Sequence, residues 1–136
     1  MTGSNKSSGT TFERAFALAL YGCGFWVHLL RQSEAGQPAD VIACREGSVY
    51  LIDCKDCAGD RFDLSRIEEN QELAMTEFEK RGNGPGWFAV HIGGETYMLS
   101  ILCIEYLRSS GKESIKLNEF GHAWGTPIND WVTTVP

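Results

Sequence analysis

Two apolar runs, residues 39–44 and 48–55, are separated only by Arg45, Glu46 and Gly47, and this pairing restricts the fold more than any other stretch of the chain. A break that short, ending in Gly, folds the two runs back on each other as an antiparallel hairpin. Both runs are apolar almost throughout, yet they contain Asp40, Asp53 and Lys55. Successive strand residues face opposite sides of a sheet, so Asp53 and Lys55 share one face, about 7 Å apart. Asp40 lies at the beginning of the first run and Asp53 near the end of the second, positions that an antiparallel hairpin sets side by side. The two carboxylates therefore converge. Held together at one end of a buried hairpin, they repel each other unless a cation, a proton or an adjacent Lys compensates.

Around the hairpin the apolar spacing alternates between helical and extended. Phe12, Ala15, Phe16, Ala19 and Leu20 predict a helix over residues 9–22, behind a flexible polar segment over 1–8. Residues 25–30 read as a strand and 31–37 as a loop. After the hairpin, 56–63 is polar and 64–80 is broadly helical, broken by the Gly- and Pro-rich stretch 81–86. Residues 87–92 and 96–100 form a second strand pair around Gly93 and Gly94, and 101–107 reads as a short helix. The pattern fades beyond Ser109, although Trp124 and Trp131 predict a tail that packs onto the body. The order α-β-β-β-α-β-β-α predicts an α/β fold, a central mixed β-sheet flanked by helices, in a single domain over 9–136.

Composition removes several classes of function. At 136 residues the chain is long enough to fold without a disulfide or structural metal. No apolar run approaches the roughly 20 residues of a membrane span, and the first ten residues are not a secretory signal. An odd five Cys without such a signal fits reduced thiols in the cytoplasm. Twelve Lys and Arg against 18 Asp and Glu give a net charge of −6, which is not the footprint of a general nucleic-acid coating protein. An enzyme meeting DNA through one basic face remains open.

Oxygen ligands such as Asp40 and Asp53 suit Mg²⁺ or Mn²⁺, which keeps several waters and leaves room for a phosphate. Lys55 beside such an ion is placed to orient a water for attack on a phosphodiester. Taken singly, the same residues also read as solvated strand ends with Lys55 as a salt-bridge partner. Cys54 and Cys57 form a C-x-x-C, but Cys23, Cys44, Cys103, His28, His91 and His122 are scattered, so a buried thiol is the better reading than a zinc or redox pair.

Asp40 in QPADVIA, followed by Asp53-Cys54-Lys55 in VYLIDCKD, resembles the PD-(D/E)XK nuclease motif. Gly9 through Arg14 on the first helix, the Gly24-Phe25 entry to the first strand, the loop from Arg31 to Ser33 and Gln71 in EENQELAMTEF stand in the same order as in archaeal-type Holliday junction resolvases. The resemblance implies a restriction-endonuclease-like core and a metal-dependent endonuclease that acts on branched DNA as a homodimer. It implies that Glu13, Asp40, Asp53 and the Cys54 carbonyl hold the metal, and that Lys55 positions the water. It also implies that Gln71 points back to the scissile site and that Ser33 contributes to cleavage. By residue type alone, Glu13 is a first-turn acid favoured by the helix dipole, Gln71 a solvated position and Ser33 a loop residue. Lys6, Arg14, Arg31, Arg61 and Arg66 flank this site in the inferred fold as candidate phosphate contacts, while Glu68, Glu69, Glu72, Glu77 and Glu79 read as a solvated face. The alternatives are a non-catalytic DNA-binding or assembly module on the same fold, and a nickase or restriction-type nuclease.

Overall fold

The structure is a computed structural model that describes residues 2–30 and 37–136, with side chains from Thr11 onward. Helix α1 (Thr2–Gly22) leads into strand β1 (Trp26–Leu29). The hairpin follows as β2 (Val41–Arg45) and β3 (Ser48–Asp56). A short strand β4 (Arg61–Asp63), a 3-10 turn (Leu64–Arg66) and helix α2 (Glu69–Lys80) then lead to β5 (Trp87–Ile92) and β6 (Glu95–Ser100). Helix α3 (Ile101–Ser109), β7 (Ser114–Lys116), a second 3-10 turn (Leu117–Glu119), β8 (Thr126–Pro127) and α4 (Ile128–Thr134) complete the chain. None of the described helices is long and apolar enough to cross a membrane.

Six strands form one sheet in the order β1-β2-β3-β5-β6-β8, with a separate β4–β7 ribbon. The sheet is mixed, because β3 and β5 run parallel while its other pairs are antiparallel. On one face Leu51, Phe88, Val90 and Leu99 pack with Met75 of α2 and with Ile101, Ile104 and Leu107 of α3. On the other, Val41, Ala43, Tyr50, Ile52 and Ala89 pack with Phe12, Phe16 and Leu20 of α1 and with Trp131 of α4. Alternate residues of β5 fall into opposite clusters, as the two-residue strand period requires.

The hairpin closes more tightly than its three polar residues suggest. Arg45 pairs with Ser48, leaving a two-residue turn of Glu46 (φ 50°) and Gly47 (φ 86°). Positive φ at both positions is the turn geometry whose twist matches that of the flanking strands.

Three expectations are corrected. The first helix begins at Thr2 instead of residue 9: residues 2–8 are mostly weak helix formers, but no Pro interrupts them and extending an existing helix avoids the nucleation cost. The stretch 64–80 is not one helix, because Ile67 and Glu68 are extended and α2 starts only at Glu69. Leu64 and Ile67, three apart, are served by a 3-10 turn that points both into the core. Within α2 the buried stripe is Gln71 and Met75 with Phe78 packed behind, while Leu73 is 63% exposed.

The weakly patterned tail does pack. Trp131 is 1% exposed, with ring centroids 5.9 Å from Phe25, 5.4 Å from Tyr50 and 5.5 Å from Trp87. Arg45 latches it by donating to the carbonyls of Val132, Val135 and Pro136 at 2.6, 2.8 and 2.8 Å, with its guanidinium 4.1 Å from the Phe25 ring centre. These bonds satisfy helix-end carbonyls that α4 leaves unpaired. Trp131→Ala is expected to cost roughly 3–5 kcal/mol of unfolding free energy, read from the urea midpoint; a loss below about 1 kcal/mol would show that α4 contributes little to the fold.

Candidate active site

The hairpin register decides which acids meet. Val41 and Ile52 are the last pair of the β2–β3 ladder, and Asp40 and Asp53 lie just beyond them, close enough for their side chains to interact. Asp40 is tied into the sheet by its own backbone, whose N–H donates to the Ile52 carbonyl at 3.1 Å and whose carbonyl accepts from Leu30 at 2.8 Å. Its carboxylate lies across β3: Oδ2 accepts the Cys54 N–H at 2.8 Å, and Oδ1 accepts from the Gln37 amide. Asp53 opposes Phe88 of β5 and is 1% exposed.

Lys55 stands two residues further along β3 on the same face. Its Nζ is 3.0 Å from Asp53 Oδ2 and donates to Gln71 Oε1 at 3.2 Å. The Gln71 Nε2 donates to Asp53 Oδ1 at 3.0 Å, and its Oε1 also accepts the Glu68 N–H at the start of α2. One amide therefore fixes both members of the ion pair. Gln71 is buried, so its reading as a solvated position among glutamates is overturned. Glu72 also departs from that reading by pairing with Arg108 of α3, whereas Glu68, Glu69, Glu77 and Glu79 are exposed.

Glu13 comes from α1, on the opposite side of the sheet from α2, and hydrogen-bonds Asp40. Burial, then the Asp40 charge, pushes the Glu13 carboxyl up to about 7. Burial and Asp40 likewise push Asp53 up to about 8, against the opposing pull of Lys55. Three acids thus converge with one ammonium group. Asp53 Oδ2 is buried and has the Lys55 ammonium 3.0 Å away as its countercharge, with the Asp40 carboxyl crowding the same group.

Three crowded carboxyls with one ammonium group between them fit a further cation. Among the described residues no group of three or more His, Cys, Asp or Glu side chains is arranged to hold a metal ion. A small hard cation does not need one, since it binds through one or two carboxylates and completes its shell with water and phosphate. Zinc fits less well. Cys54 packs on the α1 side of the sheet and Cys57 in the opposite cluster, so the two do not face one ligand. Burial and the surrounding carboxylates push the Cys54 thiol up, which keeps it protonated and unreactive.

The basic candidates separate. Arg14 is exposed beside an apolar groove of about 520 Å³ lined by Leu18, Tyr21, Val27 and His28. Arg61 is exposed, 3.5 Å from Asp63. The Arg66 guanidinium is engaged locally, donating to the Asp56 carbonyl at 3.1 Å and to Cys57 Sγ at 3.2 Å. Arg31 and Ser33 lie outside the described residues, as does the side chain of Lys6. Two neighbours of the cluster escape the sequence reading. Gln37 holds Asp40, and Asp56 Oδ1 lies 2.8 Å from His91 Nδ1, with Phe12 stacked on the imidazole at 5.1 Å. Asp56 and His91 are register partners on parallel strands, a relation visible only once β3 and β5 are known to be neighbours.

Comparison with known proteins bears on the fold and the family. No curated protein sequence matches the chain. Among solved structures, the Holliday junction resolvase Hjc from the archaeal hyperthermophile Archaeoglobus fulgidus superposes with a TM-score of 0.70 at 16% identity, covering 91% of this chain and 99% of that one. A protein of unknown function, AF1548, overlaps less, with a TM-score of 0.42 at 20% identity over 74% of this chain and 54% of that one. At such identities the likeness to Hjc is one of fold. The sequence profile described as archaeal Holliday junction resolvase (hjc) matches residues 4–135. That span takes in every strand and helix from α1 to α4, and the chain belongs to the archaeal Holliday junction resolvase family.

Proposed function

We propose that Glu13, Asp40, Asp53 and Lys55 are the hydrolytic centre of this Holliday junction endonuclease, and that the centre works with Mg²⁺ or Mn²⁺. The observation that carries the reading is Asp53. It is buried just beyond the last pair of the hairpin ladder, held by Gln71, paired with Lys55 at 3.0 Å and crowded by the Asp40 carboxyl, so acids outnumber the one ammonium group there. A divalent cation bound there supplies positive charge against the negative charge that develops on the phosphate under attack. Asp40 and Asp53 would hold it, with Glu13 and the Cys54 carbonyl adding ligands. The Lys55 ammonium orients the water whose oxygen forms the new bond to phosphorus as one ester oxygen departs. Gln71 is a positioning residue, because it fixes Lys55 and Asp53 relative to each other.

Outside the centre, Arg14, Arg61, Lys6 and Arg31 are the proposed phosphate contacts, and Ser33 assists cleavage from the loop before β2. Arg66 belongs with them only if its local bonds open. A four-way junction has two symmetric scissile phosphates, and a two-fold homodimer matches them with two centres. Five free thiols support a reducing cytoplasmic setting.

Asp53→Ala is expected to lower Mg²⁺-dependent junction cleavage by at least about 100-fold while junction binding persists or tightens, since a charge that repels phosphate is gone. Cleavage equal to that of the parent, measured on a gel with a labelled junction, would refute the assignment.

The raised carboxyls also set a pH dependence. An acid whose pKa is raised by folding holds its proton more tightly in the folded state, so its contribution to stability is full at low pH and is lost as pH rises through the folded value. For Glu13 and Asp53 that loss runs up to about 7 and about 8. Mg²⁺ replaces those protons, so its increment in Tm over the same protein in chelator is expected to be larger at pH 8 than at pH 5. An equal increment at both values, measured by scanning calorimetry, would contradict it.

A further inference from the structure

Strand β1 is an edge of the sheet and carries Trp26 61% exposed. Exposure of a large aromatic ring on an edge strand is costly unless the ring has a partner. Trp26 opposes Cys44 and His28 opposes Ile42, while Ile42 in turn opposes Leu51. Directly opposed residues share a face, so Trp26 and His28 stand on the same face of the sheet as Asp40, Asp53 and Lys55. On that face, among the described residues, α2 packs over β3 and α3 over β6, away from β1.

The two rings are nearly parallel, 11° apart, with centroids 6.0 Å apart. The residue that opposes Asp40 is Leu30, two positions beyond His28 and four beyond Trp26. At the strand rise these rings stand about 7 and 13 Å along β1 from the carboxylate row. At about 3.4 Å per stacked nucleotide, that is two to four nucleotides along a DNA strand.

We propose that Trp26 and His28 form a stacking platform for a nucleobase of the junction near its branch point, where strands turn and a base loses a stacking neighbour. The proposal rests on the reading of this sheet face as the hydrolytic one. Chemistry favours a base over a phosphate. Strand β1 reads Trp-Val-His-Leu with no Lys or Arg, and its cross-strand neighbours on this face are Cys44 and Ile42. Every base has a π-face, and aromatic stacking adds affinity that does not depend on neutralising phosphates. For a chain of net charge −6 that is a needed source of binding.

The test compares the full-length protein with Trp26→Ala and Trp26→Phe, binding labelled four-way junction and linear duplex in chelator by fluorescence anisotropy. Trp26→Ala is expected to weaken junction binding about tenfold, Trp26→Phe to stay within about threefold of the parent, and duplex binding and Tm to remain unchanged in both. An abasic site at the stacked nucleotide weakens the parent and leaves Trp26→Ala unaffected. Junction affinity of Trp26→Ala equal to the parent's overturns the proposal, as does an equal loss on linear duplex. It is likewise overturned if sedimentation shows that the variant loses affinity only by dissociating into monomers, which makes the rings a subunit contact. Cleavage of the same junction by the parent with Mg²⁺ is read in parallel. Its absence sinks the hydrolytic reading and this proposal together, whereas its presence with a silent Trp26→Ala sinks the platform alone.

Discussion

Asp40 is held against Asp53 by the ladder of the hairpin, and neither residue is free to move away. The Asp40 N–H donates to the Ile52 carbonyl, its carbonyl accepts from the Leu30 N–H, and its carboxylate accepts the Cys54 N–H, so backbone groups of three residues fix its position. Separating the two carboxylates would require slipping β2 against β3. A slip of one residue would send Val41 and Ala43 out of the α1 face and into the α2 face. Hydrophobic packing on both sides of the sheet therefore maintains an electrostatic arrangement that the carboxylates alone would abandon.

The strain is moderated and not removed. Lys55 compensates one charge, and Gln71 spends both ends of its amide on Asp53 and Lys55, so the pair stays in one geometry. Glu13 and Asp53 answer the remaining crowding by holding protons near neutral pH, with pKa values of about 7 and about 8. On the proposed reading, paired carboxylates of that kind would be preorganised for a cation, because little reorganisation would be left to accompany binding. If this cluster is the hydrolytic centre, a positive charge must stand between its carboxylates and the phosphate of a polyanionic substrate.

How far the amino-acid sequence discloses this varies with the range of the interactions involved. Asp40, Asp53 and Lys55 are legible because a short Gly-containing turn and a two-residue period fix the register locally. Gln71 is not legible from its own surroundings. Glu68, Glu69 and Glu72 beside it suggest water, and the true face emerges only once α2 begins at Glu69 and not at Leu64. Only the ordered set of motifs, read as a resemblance, directs attention to it. Strands β4 and β7 pair across about fifty residues of chain, and the Asp56–His91 contact needs the parallel β3–β5 neighbourhood. Trp131 announces a packed tail, but its place among Phe25, Tyr50 and Trp87 depends on three separate strands or their flanks.

The account stands on the convergence of Asp40, Asp53 and Glu13 at one cation position beside the Lys55 ammonium. Anomalous diffraction from crystals soaked in Mn²⁺ locates that position without reference to activity. A manganese peak within ligand distance of the Asp40 and Asp53 carboxylates is the expected result. Ordered manganese only elsewhere on the protein, with the carboxylates of Asp40 and Asp53 unliganded, would contradict it.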